Sequence, residues 1–479
     1  LIHRPMAAAA AAAEAAPGRA CPHMHVSDDS TAAANDAANC ASVAGRQEGD
    51  AHRPSCTPAR PFAEMPGPGL VEMVSSAGDM HNPFAMYADM HVKYGRVYRL
   101  SIPGSPIVAV ADPAEFEKIL RVGGKYPAPL QLRPVLVREA TKKKKDPLHE
   151  VNMGALTGEE WRKNRNVLDQ RLMVPAQVDT YNGSLNDVAT DFLDLLSRRV
   201  AFHPGTPTLL DDLVYAFSSE AIGAVLFDMR LRVLCDPPSE QGMRFLNSLR
   251  SAFNVATDLT LSPLPLYTLV PTPRWRRFCR DMDDVESMAE EFVRQADAAH
   301  GDTAARIDML AHMRAAGQNE RRCVSNAVTL FFAGADSTSV SILWLLHNLG
   351  SEPLFQERLR QEVLSVAGPS GAITGAHLRA MPLLRAAVKE SLRLTPSTLG
   401  IIRVLDEPID IAGYNVPPGT MLWLNQWAAT KEEDQFPDPH EFRPDRWLKR
   451  STRPANPFIH LPFGWGPRMC QGFRVSELE

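Results

Sequence analysis

The sequence predicts a mainly α-helical protein with small β-sheets, on three observations. From about residue 155 onward, apolar residues recur at helical spacing through most of the chain. Alternating, β-type runs are short and confined to two places. The chain is 479 residues long with 44% hydrophobic and 22% charged residues, an ordinary soluble balance that supports a large core.

Residues 1–60 read as a disordered leader. "MAAAAAAAEAAPGRA" and scattered Ser, Asn and Asp offer too little large apolar surface to fold. The alanine run is too short to span a bilayer, which needs about 20 apolar residues. Five arginines suggest a mitochondrial targeting segment, although six acids make the match partial. "RPFAEMPGPGL" (60–70) is a stiff entry into the folded part, expected to span 61–479. "GRVYRLSIPGSPIVAVADP" (95–113) gives two strands split by a Pro-Gly turn. The basic run Lys142–Lys145 reads as a solvated loop. Helices are expected over "GEEWRKNRNVLDQRLM" (158–173), "SLNDVATDFLDLLSRRV" (184–200), "MDDVESMAEEFVRQADAA" (282–299), the long stretch 321–349 and "PLLRAAVKESLRL" (382–394). "IDIAGYNVPPGTMLWLN" (409–425) reads as a second β patch.

The formal net charge of −5 gives no bulk electrostatic case for nucleic acid. Of the seven cysteines (Cys21, Cys40, Cys56, Cys235, Cys279, Cys323 and Cys470) none forms a C-x-x-C pair, so free thiols in a reducing compartment are expected. "CPHMH" (Cys21, His23, His25) has ligand residue types but lies in the alanine-rich leader and is a weak metal candidate.

One cysteine stands in a special setting, "PFGWGPRMCQGF" (462–473). A thiolate is an electron-rich ligand for haem iron. Gly464, Gly466 and Gly472 let backbone approach a flat macrocycle, and "RVSELE" begins a helix whose amides would face the sulfur. The pattern F-G-x-G-x-R-x-C-x-G, met by Phe463, Gly464, Gly466, Arg468, Cys470 and Gly472, resembles the haem-binding motif of cytochromes P450. The resemblance covers about residues 60–479. It implies the cytochrome P450 fold, with haem b (iron protoporphyrin IX) between a long Asp336-bearing helix and the Cys470 loop, and Cys470 on the iron.

Three further stretches fit that resemblance. Glu390 and Arg393 lie three apart on one helical face, an ordinary surface bridge if alone. With Arg446 of "FPDPHEFRPDRW" they resemble the family's structural E-x-x-R triad. In "FFAGADSTSV", Phe331, Phe332, Ala333 and Gly334 are expected, with Leu399, to line the substrate pocket, the small residues leaving room for O2. Asp336 with Ser337 or Thr338 would deliver protons. Serine stands directly after the acid where the family usually has threonine. The bland alternative is a polar patch capping its own backbone. Trp161 and Arg165, four apart on a helix, together with Arg403 and Arg468, match propionate partners.

Several segments are similar to the mitochondrial branch of the family, among them "GALTGEEWRKNRNVLDQRLMVP" and "FSSEAIGAVLFDMRL". That similarity implies electrons from a small acidic ferredoxin docking on Arg385, Lys389 and Arg474, and peripheral contact with the inner mitochondrial membrane on the matrix side. It also implies an apolar, sterol- or steroid-like substrate. Phe473 replaces an arginine common in the branch, and Arg232 stands where glycine is usual. The chain stops inside the helix after Cys470, so a C-terminal segment of the family's fold is expected to be missing. Two alternatives stay open: a microsomal-type monooxygenase of the endoplasmic reticulum fed by a diflavin reductase, and a non-catalytic haem sensor.

Overall fold

A computed structural model describes residues 59–69, 72, 83–102, 105–128, 132–202, 209–262, 265–300, 308–369, 372–449, 454 and 456–479. Leader residues 1–58, with the Cys21–His25 cluster, and the Pro103–Gly104 turn lie outside them. The helices are α1 (Pro83–Tyr94), α2 (Pro113–Val122), α3 (Arg133–Lys145), α4 (Gly158–Leu172), α5 (Pro175–Val178), α6 (Asn182–Phe202), α7 (Asp211–Phe227) and α8 (Glu240–Leu261). They continue with α9 (Pro273–His300), α10 (Met309–Ala315), α11 (Glu320–Gly350), α12 (Pro353–Ala367), α13 (Gly375–Arg379), α14 (Pro382–Leu394), α15 (Gln426–Ala429) and α16 (Phe473–Leu478). The strands are β1 (Arg60–Pro61), β2 (Val97–Ile102), β3 (Ser105–Val110), β4 (Ile401–Val404), β5 (Ile409–Ile411), β6 (Tyr414–Val416) and β7 (Met421–Leu424).

The molecule is mostly helical with two small sheets, as the sequence predicts. The sheets run β1-β6-β5 and β2-β3-β7-β4. The expected second β patch is therefore divided. β5 and β6 form a hairpin pairing Ile411 with Tyr414, whereas β7 leaves it to lie parallel to β3 and antiparallel to β4. Pro417, Pro418 and Gly419 between them break the ladder. Alternation predicts strands but not which sheet each joins.

The helical core gathers around α11. By length and composition α11 could cross a membrane, but it runs through the core and carries buried Arg322, Asn326 and Asp336. Against it packs α7, whose apolar residues and Ser218, Ser219 and Glu220 are buried all round. Such a helix has no polar face, so no helical periodicity marks it in the sequence. The Lys142–Lys145 run is the last turn of α3, not a loop. Acids on α9 explain it: Lys142 lies 3.0 Å from Asp283 and also pairs with Glu286, and Arg138 bonds both acids.

Buried Glu220 closes the turn after α7. It accepts Nε of Arg230 (2.8 Å) and the amides of Arg232 and Val233 (both 3.0 Å). Arg232 sits there at φ +60°, a left-handed conformation that costs a side-chain-bearing residue about 1–2 kcal/mol. This is the position where glycine was noted as usual, and the arginine side chain is exposed. Arg232→Gly is therefore expected to stabilise the protein by about 1 kcal/mol, read as a higher denaturant midpoint with an unchanged slope.

Candidate functional site

The Cys470 loop is shaped by its own backbone. Gly464 and Gly466 adopt φ +75° and +73°, which is why glycine stands there, while Gly472 has ordinary φ and caps α16. The Cys470 amide donates to Phe463 O (2.8 Å) and that of Met469 to Gly466 O (3.0 Å). The Cys470 side chain is accessible, yet enough protein surrounds it that burial raises its pKa. The Gly472 amide and the charge of Arg165 oppose that rise.

Two buried arginines, Arg165 and Arg403, reach this loop from other elements, and half-buried Arg468 reaches out from the loop itself. Arg165 of α4 donates from Nη2 to Met469 O (2.8 Å) and from Nε to Asp169 (3.2 Å). Arg403 of β4 donates from Nη2 to Trp465 O (3.0 Å). Arg468 donates to the carbonyls of Pro127 and Leu156 (both 2.9 Å), its guanidinium 3.8 Å from the Trp161 ring centroid. Burial lowers the pKa of Arg403 to about 10, and burial with the charges of Arg165 and Arg403 does the same for Arg468. Among the described residues only Arg165 of the three has a carboxylate partner.

Opposite, α11 sorts its polar stretch by face. Ala333 is exposed and Ser337, one turn on, half-buried, although Phe331, Ala335 and Asp336 between and beside them are buried. The Ala333–Ser337 face is thus the accessible one of this stretch. Ser337 Oγ donates to Ala333 O (2.8 Å), the back-bond of the bland reading. Thr338 instead turns to α16, its hydroxyl 3.4 Å from Ser476 Oγ. The charge of Asp336 reaches the Tyr215 phenol of α7, where burial and that charge raise the phenol's pKa against Arg250.

Two of the expected pocket residues pack against other helices. Phe331 is fully buried against Phe245 and Phe227 (ring centroids 4.9 and 5.9 Å), because it lies about 100° round the helix from Phe332. Phe332 is half-buried beside Phe253 (5.1 Å). Gly334 faces α7: a Cβ there would stand 2.5 Å from Ile222 Cδ1, so its smallness serves helix packing. Leu399 is half-buried, its carbonyl accepting from the Trp427 amide.

Glu390, Arg393 and Arg446 come together behind the loop. Arg393 grips the Glu390 carboxylate with two bonds of 2.9 Å. Arg446 Nε (3.0 Å), Trp447 Nε1 (2.8 Å) and the Arg443 amide (3.0 Å) complete its shell. Burial alone would raise the Glu390 pKa, and these contacts reverse it to a net lowering. Lys431, half-buried beside them, was not read as notable in the sequence, since only the fold encloses it. Burial, then Arg393, lowers its ammonium to about 7, while Nζ donates to Leu394 O (3.1 Å).

Arg385, Lys389 and Arg474 cluster too: all three charges act on Glu477, opposing the rise that burial gives it. Arg385 and Lys389 are exposed, whereas Arg474 donates to Met173 O (2.8 Å) and lies over Phe473.

The arginine set fits haem. Buried guanidiniums short of carboxylates call for an anionic ligand, and two propionates beside a thiol donor supply that chemistry. The family model for cytochrome P450 matches residues 64–479. The chain belongs to the cytochrome P450 family.

It is 29% identical to a mitochondrial 1,25-dihydroxyvitamin D(3) 24-hydroxylase of Rattus norvegicus, over 88% of this chain and 82% of the relative. Identity is 32% to a mitochondrial 25-hydroxyvitamin D-1 alpha hydroxylase of Homo sapiens (88% and 85%) and 27% to cytochrome P450 10 of Lymnaea stagnalis (89% and 80%). As a cytochrome P450 it is a haem-thiolate monooxygenase, carrying haem b on a cysteine and using O2 with a small-molecule substrate.

The Lys431 ammonium generates a pH prediction. Its folded pKa of about 7 lies below the unfolded value of about 10.4, so the folded state binds fewer protons between them. The destabilisation is full below pH 7 and fades as pH rises toward 10.4. Urea midpoints between pH 7 and 9.5 should rise more steeply in the wild type than in Lys431→Met; parallel slopes would refute the assignment.

Proposed function

We propose that this P450 is a mitochondrial, ferredoxin-fed hydroxylase of a sterol- or secosteroid-like substrate, with Cys470 as the iron ligand. The observation that carries the reading is the gathering of buried Arg165 and Arg403 on the Cys470 loop beside its own half-buried Arg468. Bound haem would supply the chemistry by which one oxygen atom of O2 enters a C–H bond and the other leaves as water.

The chain's own residues have defined tasks in this reading. Arg165, Arg403 and Arg468 bind the propionates, with Trp161 stacked beneath Arg468. Glu390, Arg393 and Arg446 keep the wall behind the loop rigid. Ala333 leaves room at the accessible face of α11. Asp336 is the acid of the proton route and Ser337 the hydroxyl on the Ala333 face, whereas Thr338 is turned toward α16. Half-buried Phe332 and Leu399 contribute apolar wall, in keeping with an apolar substrate.

The vitamin D hydroxylases among the relatives are named mitochondrial, which supports that location and a secosteroid-like substrate here. Exposed Arg385 and Lys389, with Arg474, suit an acidic ferredoxin. For peripheral membrane contact, Leu266, Leu269 and Val270 are exposed between α8 and α9 and followed by exposed Arg274 and Arg276. Apolar residues beside cations suit an anionic lipid surface, in this reading the inner membrane on its matrix side.

The haem-loaded protein under carbon monoxide tests the reading without a known substrate. A mitochondrial-type ferredoxin system should bring up a thiolate-type ferrous–CO band. Arg385→Glu with Lys389→Glu should raise the KM for ferredoxin about tenfold and leave the band in place. A band driven only by a diflavin reductase would sink the mitochondrial assignment; a band retained by Cys470→Ser would sink the ligand.

The proton assignment has its own test. Asp336→Asn should leave haem binding intact and cut turnover about 100-fold. Unchanged turnover would refute Asp336 as the acid.

A further inference from the structure

The helix that carries Trp161 and Arg165 is tied to the long helix by amides. Asn164 of α4 and Asn326 of α11 exchange two hydrogen bonds. Asn164 Nδ2 donates to Asn326 Oδ1 (2.7 Å), and Asn326 Nδ2 donates back to Asn164 Oδ1 (3.0 Å). Gln318, in the turn before α11, donates to Asn164 Oδ1 (2.8 Å) and accepts from Asn326 Nδ2 (3.0 Å). Asn326 Nδ2 also lies 3.5 Å from Met313 Sδ on α10. Asn326 is fully buried and Asn164 5% exposed.

Such a cluster is a costly way to join two helices if joining is its only task. Apolar contacts would hold them as well and carry no desolvation penalty. What amides add is direction. Dispersion tolerates a small rotation of one helix on another, whereas a reciprocal amide pair holds only over a narrow range of angles. Asn164 immediately precedes Arg165, whose Nη2 reaches Met469 O beside Cys470, and follows Trp161, which lies under Arg468, by three positions. A rotation of α4 would therefore move the guanidinium next to the sulfur and the ring beneath Arg468 together.

We propose that Asn164, Asn326 and Gln318 form an amide clasp that positions the haem pocket. It fixes the rotation of α4 on α11, and through it the placement of Arg165 and Trp161. The proposal rests on the reading of Arg165 as a propionate partner. The clasp residues touch no haem atom in this account and act through their neighbours. Any shift of α11 at Asn326, two turns before Ala333, is passed to α4 by the same bonds.

The test compares Asn164→Leu, Asn326→Leu and the pair with wild type and with Arg165→Gln. Three quantities are read: the denaturant midpoint, haem affinity by titration into haem-free protein, and the ferric–ferrous potential. Each single variant strands one buried amide and should lose both stability and haem affinity, the latter about 10- to 100-fold. The pair leaves no asparagine amide to strand, and half-buried Gln318, which loses both partners, can turn to solvent, so its stability should recover in large part. Its haem affinity should stay low and its potential shifted. A pair with wild-type affinity and potential would show that the clasp only packs the helices, and overturns the proposal. Should the pair not fold, Asn326→Ser, which admits a water to Asn164, must still lower haem affinity; wild-type affinity there overturns the proposal equally. Wild-type affinity in Arg165→Gln would instead sink the propionate reading, so the two failures are distinguishable.

Discussion

The buried carboxylate of Glu390 is the interaction on which the proximal half of this molecule depends. It is fully buried and carries five hydrogen bonds, from Arg393, Arg443, Arg446 and Trp447. Breaking so buried an ion pair costs about 3–5 kcal/mol, because the charge left behind has no water to turn to. The arginines also spread outward, Arg393 to the carbonyls of Thr430, Pro439 and Glu441, and Arg446 to those of Pro437 and Asp438. One carboxylate thus orders a stretch of irregular chain that helix or sheet bonds could not. From Trp447 the constraint passes to His460, whose ring lies 4.7 Å away, and so into the Cys470 loop. Burial, with Lys389 and Arg393 adding to it, lowers His460 to about 3, so this contact is between uncharged rings.

The parts legible in the sequence were those where side-chain type and spacing carry the physics. Glu390 and Arg393 at three residues' separation on a helix had to meet. The loop glycines were read as allowing close backbone approach; at 464 and 466 the backbone is also left-handed, whereas 472 has an ordinary conformation. Long amphipathic helices such as α4 and α9 showed their period, while α7, buried on every face, did not. Lys142 looked solvated because its partners Asp283 and Glu286 lie 141 and 144 residues away. The Asn164–Asn326 pair was invisible for the same reason. A single amide on a helix says nothing until its partner, 162 residues on, is placed beside it.

Helix geometry also bears on a choice that spacing had left open in α11. Four consecutive residues, Ala335 to Thr338, point in four directions about 100° apart. The hydroxyl nearest the accessible face is then fixed by its distance from Ala333. Ser337 is one turn away and shares that face, while Thr338 is a step too far round and meets Ser476. Serine directly after the acid thus shares the face of Ala333, where the proposed proton route needs a hydroxyl, and the lost methyl changes crowding there rather than the identity of the group.

Charge gives the deepest reason for a haem at this place. The site has two halves with different needs. Burial raises the pKa of the Cys470 thiol, against the Gly472 amide and Arg165, while buried Arg403 and half-buried Arg468 donate to backbone carbonyls, Arg468 also lying over the Trp161 ring. Neutralising either half with protein side chains would spoil the other: a carboxylate near the arginines would push the thiol's pKa further up, and another cation near the thiol would crowd the arginines. A macrocycle that carries a metal cation at its centre and carboxylates at its edge meets both needs with one rigid body. In the proposed reading its metal charge would make the thiolate the stable form, and its propionates would supply acids for the arginines. The same reasoning explains why placement of α4 matters so much. Arg165 is the one group that acts on both halves, donating to Met469 O and lowering the Cys470 thiol, so its position couples the edge of the pocket to the centre.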